Sequence, residues 1–213
     1  MFNFGLENIK VTLYTPAKQF GELTVKNSTG DLIIPKGYAF NNANIKLSTG
    51  DVSFKCEMQN ELNIDLSTGD VELEGTLAKN LSVKTSTGNV YLEDVVVQEK
   101  TYIKTSTGRK SLKNLGTSEL ELKGDTGKVT LTNVLAVKDM DIKSSTGDVK
   151  FDACDATNIK VKTSTGDVMG TLLTAKTFYA HSDTGKVNVP KTTGPGIVEI
   201  DSDTGDINIS IVG

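Results

Sequence analysis

The chain has 213 residues, 37% of them hydrophobic, and a formal net charge of −4 with both signs interspersed, which leaves no electrostatic footprint for nucleic acid. No apolar run approaches the ~18 residues that a membrane-spanning helix needs. Met1 is not followed by the charged-then-apolar pattern of a signal peptide, so an anchor or signal is expected outside this chain.

Residues 1–22 carry no repeat. Ile9, Val11 and Leu13 alternate with Lys10, Thr12 and Tyr14, the period of a half-buried strand, and Thr15-Pro16 ends the run. Terminal units of repeat proteins are usually atypical. The segment is therefore either a capping strand over the first coil or the trailing part of an earlier, partial coil.

Residues 23–213 are built differently. A Thr-Gly corner returns at Gly30, Gly50, Gly69, Gly88, Gly108, Gly127, Gly147, Gly166, Gly185 and Gly205, always 19 or 20 residues apart. A fixed period of this length marks a solenoid. In the unit at residues 62–80, Leu62 and Ile64 alternate with Asn63 and Asp65, Ser67-Thr68-Gly69 turns the chain, and Val71 and Leu73 alternate with Asp70, Glu72 and Glu74. That is strand, corner, strand. One unit is too short to bury its apolar side, so stacked coils about 4.8 Å apart bury it jointly. The expected fold is all-β, a parallel β-solenoid (β-helix) of about ten coils, each lying on the one before.

Three rows form the expected core. Seven residues before the corner glycine come Leu23, Ala43, Leu62, Leu81, Thr101, Leu120, Met140, Ile159, Phe178 and Val198; five before, Val25, Ile45, Ile64, Val83, Ile103, Leu122, Ile142, Val161, Ala180 and Ile200; two after, Leu32, Val52, Val71, Val90, Lys110, Val129, Val149, Val168, Val187 and Ile207. Their β-branched richness favours strands. In coil one, Pro35 and an aromatic loop at 38–40 follow the corner. Coil four adds Val95-Val96-Val97 as a short third edge. Coil five breaks the pattern with Arg109 and with Lys110 at a core position, and an inward lysine is costly; a register slip or bulge is expected there. Gly170 leaves coil eight short of a core side chain. Pro190 and Gly194-Pro195-Gly196 replace the third edge before coil ten, whose strand edge is expected to be open and prone to end-to-end self-association.

Reactive groups are sparse. Four residues before the glycines runs an outward row of Lys26, Lys46, Asp65, Lys84, Lys104, Lys123, Lys143, Lys162, His181 and Asp201. It reads as a solvated ladder of charge or as a stripe for an acidic polymer. His181, the single histidine, belongs to that row and reads as solvated. Lys128 and Lys186 follow Thr-Gly, but Leu122 and Ala180 stand where a phosphate loop needs glycine, and no helix follows. Cys56 and Cys154 lie five coil steps apart, about 24 Å, too far for a disulfide. Asp31, Asp51 and Asp70 follow three successive corners and stack in line, which leaves open a bland charge ladder or weak calcium binding. No catalytic, cofactor or metal-ligating residue is assigned.

The repeated strand, Ser-Thr-Gly-Asp-Val, strand, as in residues 62–71 and 159–168, resembles the bacterial adhesin family of β-strand-repeat domains, a family of unknown function. The resemblance covers residues 23–213. It implies right-handed β-solenoids in envelope-associated proteins, often behind a membrane anchor or an accessory N-terminal domain, and it brings no catalytic motif. Asn89, Arg109, Lys128 and Lys186 depart from the aspartate after the corner. The functional expectation is a non-enzymatic adhesin-like or scaffold module of the cell envelope, extracytoplasmic, which binds an envelope protein or a cell-wall or surface polymer through its long polar faces. The alternatives are an envelope-stress sensing or signalling module and a polysaccharide-active β-helix enzyme.

Overall fold

The computed structural model describes residues 12–14 and 19–212, and these contain strands and no helix. Every recorded strand pair is parallel, and twenty strands join into one continuous wound sheet. The register is the one the repeat predicts. Leu62 pairs with Leu81, Leu81 with Thr101, Thr101 with Leu120, Leu120 with Met140, and Met140 with Ile159, so like positions stack. Ten coils at about 4.8 Å make a rod roughly 48 Å long.

Corner glycines hold that stacking distance. Gly69 has φ +146°, and a Cβ there would overlap the carbonyl oxygen of Gly50 on the coil beneath. Only glycine permits that backbone and that approach together.

The three expected core rows are buried through the middle of the rod, from Ala43 to Val168. The interior is larger than those rows. Phe54, Leu73, Leu92, Leu112, Leu131 and Phe151, four residues after the corner, are buried as well. Past them a third wall turns inward, with Cys56, Thr76, Val95, Leu115, Val134 and Cys154 all buried. The bend into this wall puts Gly75, Asp94, Asn114, Asn133 and Ala153 at φ between 51° and 59°. Asp and Asn tolerate this left-handed conformation better than most residues. Here they also stack, Asn114 Nδ2 donating to Asp94 Oδ1 at 2.7 Å and Asn133 Nδ2 to Asn114 Oδ1 at 3.0 Å.

Two expectations fail. Coil five has no register slip at its corner: Lys110 pairs with Val90 on one side and Val129 on the other, and its side chain points inward, 1% exposed. It fits because Gly124 on the next coil has no side chain; a Cβ there would overlap Lys110 Nζ. The expected capping strand or partial coil at residues 1–22 falls mostly outside the described residues, Ile9 and Val11 among them, while Leu13 is in no strand and 82% exposed.

The second correction concerns stacking order. Coil ten does not lie on coil nine at the end of the rod but between coils eight and nine. Ile159, Val161 and Thr165 of coil eight pair with Val198, Ile200 and Thr204 of coil ten, whose other edge pairs with Phe178, Ala180 and Thr184 of coil nine. The order is one to eight, then ten, then nine. Coil ten therefore has no open edge and cannot support self-association through one. Its core rows are fully covered, with Val198 at 1% and Ile207 at 0%, while Val187 of coil nine remains 43% exposed.

This order forces two connectors to cross, the one from coil eight to nine (residues 173–176) and the one from nine to ten (residues 190–196). Glycines stand at the crossing for a steric reason. A Cβ on Gly194 would overlap Ala175 O, and one on Gly196 would overlap Thr157 O. Lys176 is buried beside them and binds Asp155 Oδ1 at 2.9 Å, while Thr192 Oγ1 donates to Lys176 O at 2.8 Å.

Candidate functional site

The post-corner row is a hydrogen-bond ladder. Asp31 Oδ1 accepts from the Asp51 amide at 2.9 Å, Asp51 Oδ1 from the Asp70 amide at 2.8 Å, and Asp70 Oδ1 from the Asn89 amide at 2.7 Å. Asn89 Oδ1 does the same for Arg109 at 2.9 Å. Each side chain thus serves the corner amide of the next coil, and Asn and Asp are the residues short enough to do so. The ladder resumes at the far end in the intercalated order, Asp167 Oδ1 accepting from Asp206 and Asp206 Oδ1 from Lys186, both at 2.8 Å. Lys186 sits on the outermost coil, where no further amide needs an acceptor. This accounts for its departure from the pattern. Among the described residues no group of three or more His, Cys, Asp or Glu is placed to hold a metal ion. The line of Asp31, Asp51 and Asp70 is a ladder of acceptors for corner amides.

The lysine row occupies the outer surface of the first strand of each coil. Lys84, Lys104, Lys123, Lys143 and Lys162 are in direct register on five successive coils. Asp201 of coil ten comes next and pairs with Lys162 at 3.4 Å, and His181 of coil nine ends the row, its Nε2 2.9 Å from Asp183 Oδ1. Lys123 and Lys143 have acidic neighbours in Glu121 and Asp141, at 2.6 and 3.1 Å. The Lys123 bond to Glu121 raises that lysine's pKa further. Lys84 and Lys104 make no ion pair among the described residues. Lys84 Nζ and Lys123 Nζ flank the Tyr102 ring at 5.9 and 5.6 Å from its centroid. The serines Ser67, Ser86 and Ser106 run alongside. The face is a file of lysines with hydroxyls beside it, Tyr102 at its middle, and the carboxylates of Glu121, Asp141 and Asp201 paired to the lysines of its second half.

The opposite outer surface is internally neutralised. Glu74 is held down to about 2 by hydrogen bonds from Lys36 and Lys55, at 2.7 and 2.6 Å. Glu93 pairs with Lys113 at 2.6 Å.

Behind the corner lies a file that sequence reasoning did not find. Thr105, Gly124, Ser144, Thr163 and Ser202 stack in register three residues before their glycines. The four hydroxyls and Lys110 Nζ, which fills the place opposite Gly124, are buried without a hydrogen-bond partner in the protein. Burial pushes the Lys110 ammonium down to about 8, and the nearby Asp125 charge only partly opposes it. The change of this row from Leu47 and Leu66 to hydroxyls was visible in the sequence. It was passed over because Ser and Thr ahead of a corner read as turn residues.

Cys56 and Cys154 are free, buried and on one wall, and burial raises both thiol pKa values. Family models described as Toastrack DUF4097 match residues 1–108 and 98–213, between them the whole chain. The chain belongs to the Toastrack family. No curated protein and no solved structure matches it. The two Toastrack matches overlap at 98–108, on the way into the coil that carries Lys110, and strand pairing runs through coils four, five and six without a break. This Toastrack chain is one stack where the family models meet.

Proposed function

We propose that this Toastrack chain is a non-enzymatic, adhesin-like or scaffold module of the bacterial cell envelope that binds acidic polymer through its lysine face. The observation that carries the reading is the file of five lysines in register, about 4.8 Å apart. A linear polyanion of similar charge spacing meets one cation per coil. Lys84 and Lys104, which make no ion pair among the described residues, and Tyr102, flanked by Lys84 and Lys123, form its centre. The resemblance to envelope-associated repeat domains supports an extracytoplasmic setting. The corner carboxylates are engaged by backbone amides, which supports a scaffold over a carboxylate-driven hydrolase.

The test compares binding of the purified chain to a phosphate-bearing and a uronate-bearing cell-wall polymer, with a neutral glucan beside them. Binding of the acidic polymers should weaken steeply with salt, since paired charges are screened, and be lost in Lys84→Glu/Lys104→Glu. Equal binding of the neutral glucan, or no effect of charge reversal, would sink the proposal.

A further inference from the structure

The intercalated coil gives this chain a slot for a strand. Coils eight and nine stand one full coil apart, and coil ten fills the gap from the C-terminal side of the chain. Among the described residues coil nine makes its strand pairs with coil ten alone, so its attachment runs through the inserted strand. The connector 190–196 ties coil ten to coil nine. From these observations we propose that the slot exchanges its strand with a second copy of this chain, each molecule's coil ten filling the other's gap to give a closed, reciprocal dimer.

The geometry suits a second copy better than another partner. An exchanged coil ten re-forms every pair of the monomer: Val198 on Ile159 and Phe178, Ile207 on Val168 and Val187, Asp206 between Asp167 and Lys186. Only the connector changes path, which is why exchange of an identical element is a low-cost route to a dimer. Reach is adequate. Seven residues extend to about 23 Å, and the slot lies one coil step, about 4.8 Å, below the exposed surface of coil nine. Two rods meeting coil nine to coil nine bring each slot within that span. At the opposite end, on coil one, Asn27 Nδ2 donates to Thr29 O at 2.8 Å and so occupies one carbonyl that inner coils offer to a neighbour.

The test uses full-length chains with one added cysteine each. Lys162 and Asp201 are cross-strand partners on coils eight and ten, and both are solvent-accessible, while the native cysteines are buried. Lys162→Cys and Asp201→Cys chains are mixed, refolded together at high concentration and oxidised. Exchange predicts a disulfide-linked heterodimer, absent from a control mixture of Lys104→Cys and Asp201→Cys. A Lys162→Cys/Asp201→Cys chain oxidised as a monomer keeps coil ten in its own slot and should lose the dimer seen by light scattering. No heterodimer above the control, or an undiminished dimer from the locked chain, would overturn the proposal.

Discussion

Lys110 and Gly124 make one unit at the scale of single residues. Every other coil places an aliphatic side chain at the position of Lys110, and the sequence showed that substitution plainly. What it hid was the accommodation, because Gly124 lies fourteen residues further on and reads as an ordinary break before a corner. The inward lysine was expected to distort the strand; instead a missing side chain on the neighbouring coil absorbs it. The buried ammonium destabilises the fold. Its pKa falls from 10.5 to about 8, a penalty on the order of 3 kcal/mol when protonated. Lys110→Met, of similar length and without charge, should therefore raise stability in urea titrations. The gain has a definite pH dependence. Below about pH 8 the folded and unfolded states both hold the proton and the penalty is complete. Between about 8 and 10.5 the unfolded state holds more protons, so the parent protein gains on the variant as pH rises. Gly124→Thr should be strongly destabilising alone and nearly neutral in a Lys110→Val background, a coupling that a double-mutant cycle reads directly. Additive effects would show that the two residues do not share the space.

At the scale of the coil, the Ser-Thr-Gly-Asp corner proved to be two devices in series. The glycine sets the approach of adjacent coils, and the aspartate or asparagine after it caps the next coil's amide. The sequence exposed the period, the glycines and the three principal core rows. Two strands with a partial third edge were expected, whereas the coil has three walls. The third is written in small or mixed residues such as Cys56, Thr76, Ala78 and Thr117, which lack the alternation that betrays a strand. The capping role of the aspartates was likewise hidden, since a line of carboxylates looks the same as a ligand row until the amides that donate to it are seen. It makes a sharp prediction. Asp51→Ala removes the acceptor of the Asp70 amide and should lower stability by about 1 kcal/mol. Asp51→Asn keeps that oxygen, as Asn89 does naturally, and relieves like charge between neighbours, so it should be neutral or mildly stabilising. Thermal melts at low and moderate salt distinguish the two. Equal losses in both variants would mean that the charge, not the acceptor, holds the corner.

For the whole molecule, the order of the coils is the feature that the sequence concealed most completely. Coils eight, nine and ten carry equivalent rows, so periodicity alone allows either order, and stacking in sequence is the natural reading of a solenoid. The only written sign was the pair of glycines around Pro195, whose steric purpose appears once two connectors cross. The order decides which end of the rod is open, which strand is exchangeable and where Lys186 and His181 sit relative to the lysine face. It is tested most directly by disulfide trapping within one chain. In the intercalated rod, Lys162 lies beside Asp201, and His181 is two coil steps away, about 9.6 Å, beyond the ~7 Å Cα limit for a disulfide. Under mild oxidation of dilute protein, Lys162→Cys/Asp201→Cys should form the intramolecular bridge and Lys162→Cys/His181→Cys should not, as read by non-reducing mass spectrometry. The reverse pattern, a bridge to position 181 and none to position 201, would contradict the intercalated order and restore a rod stacked in sequence.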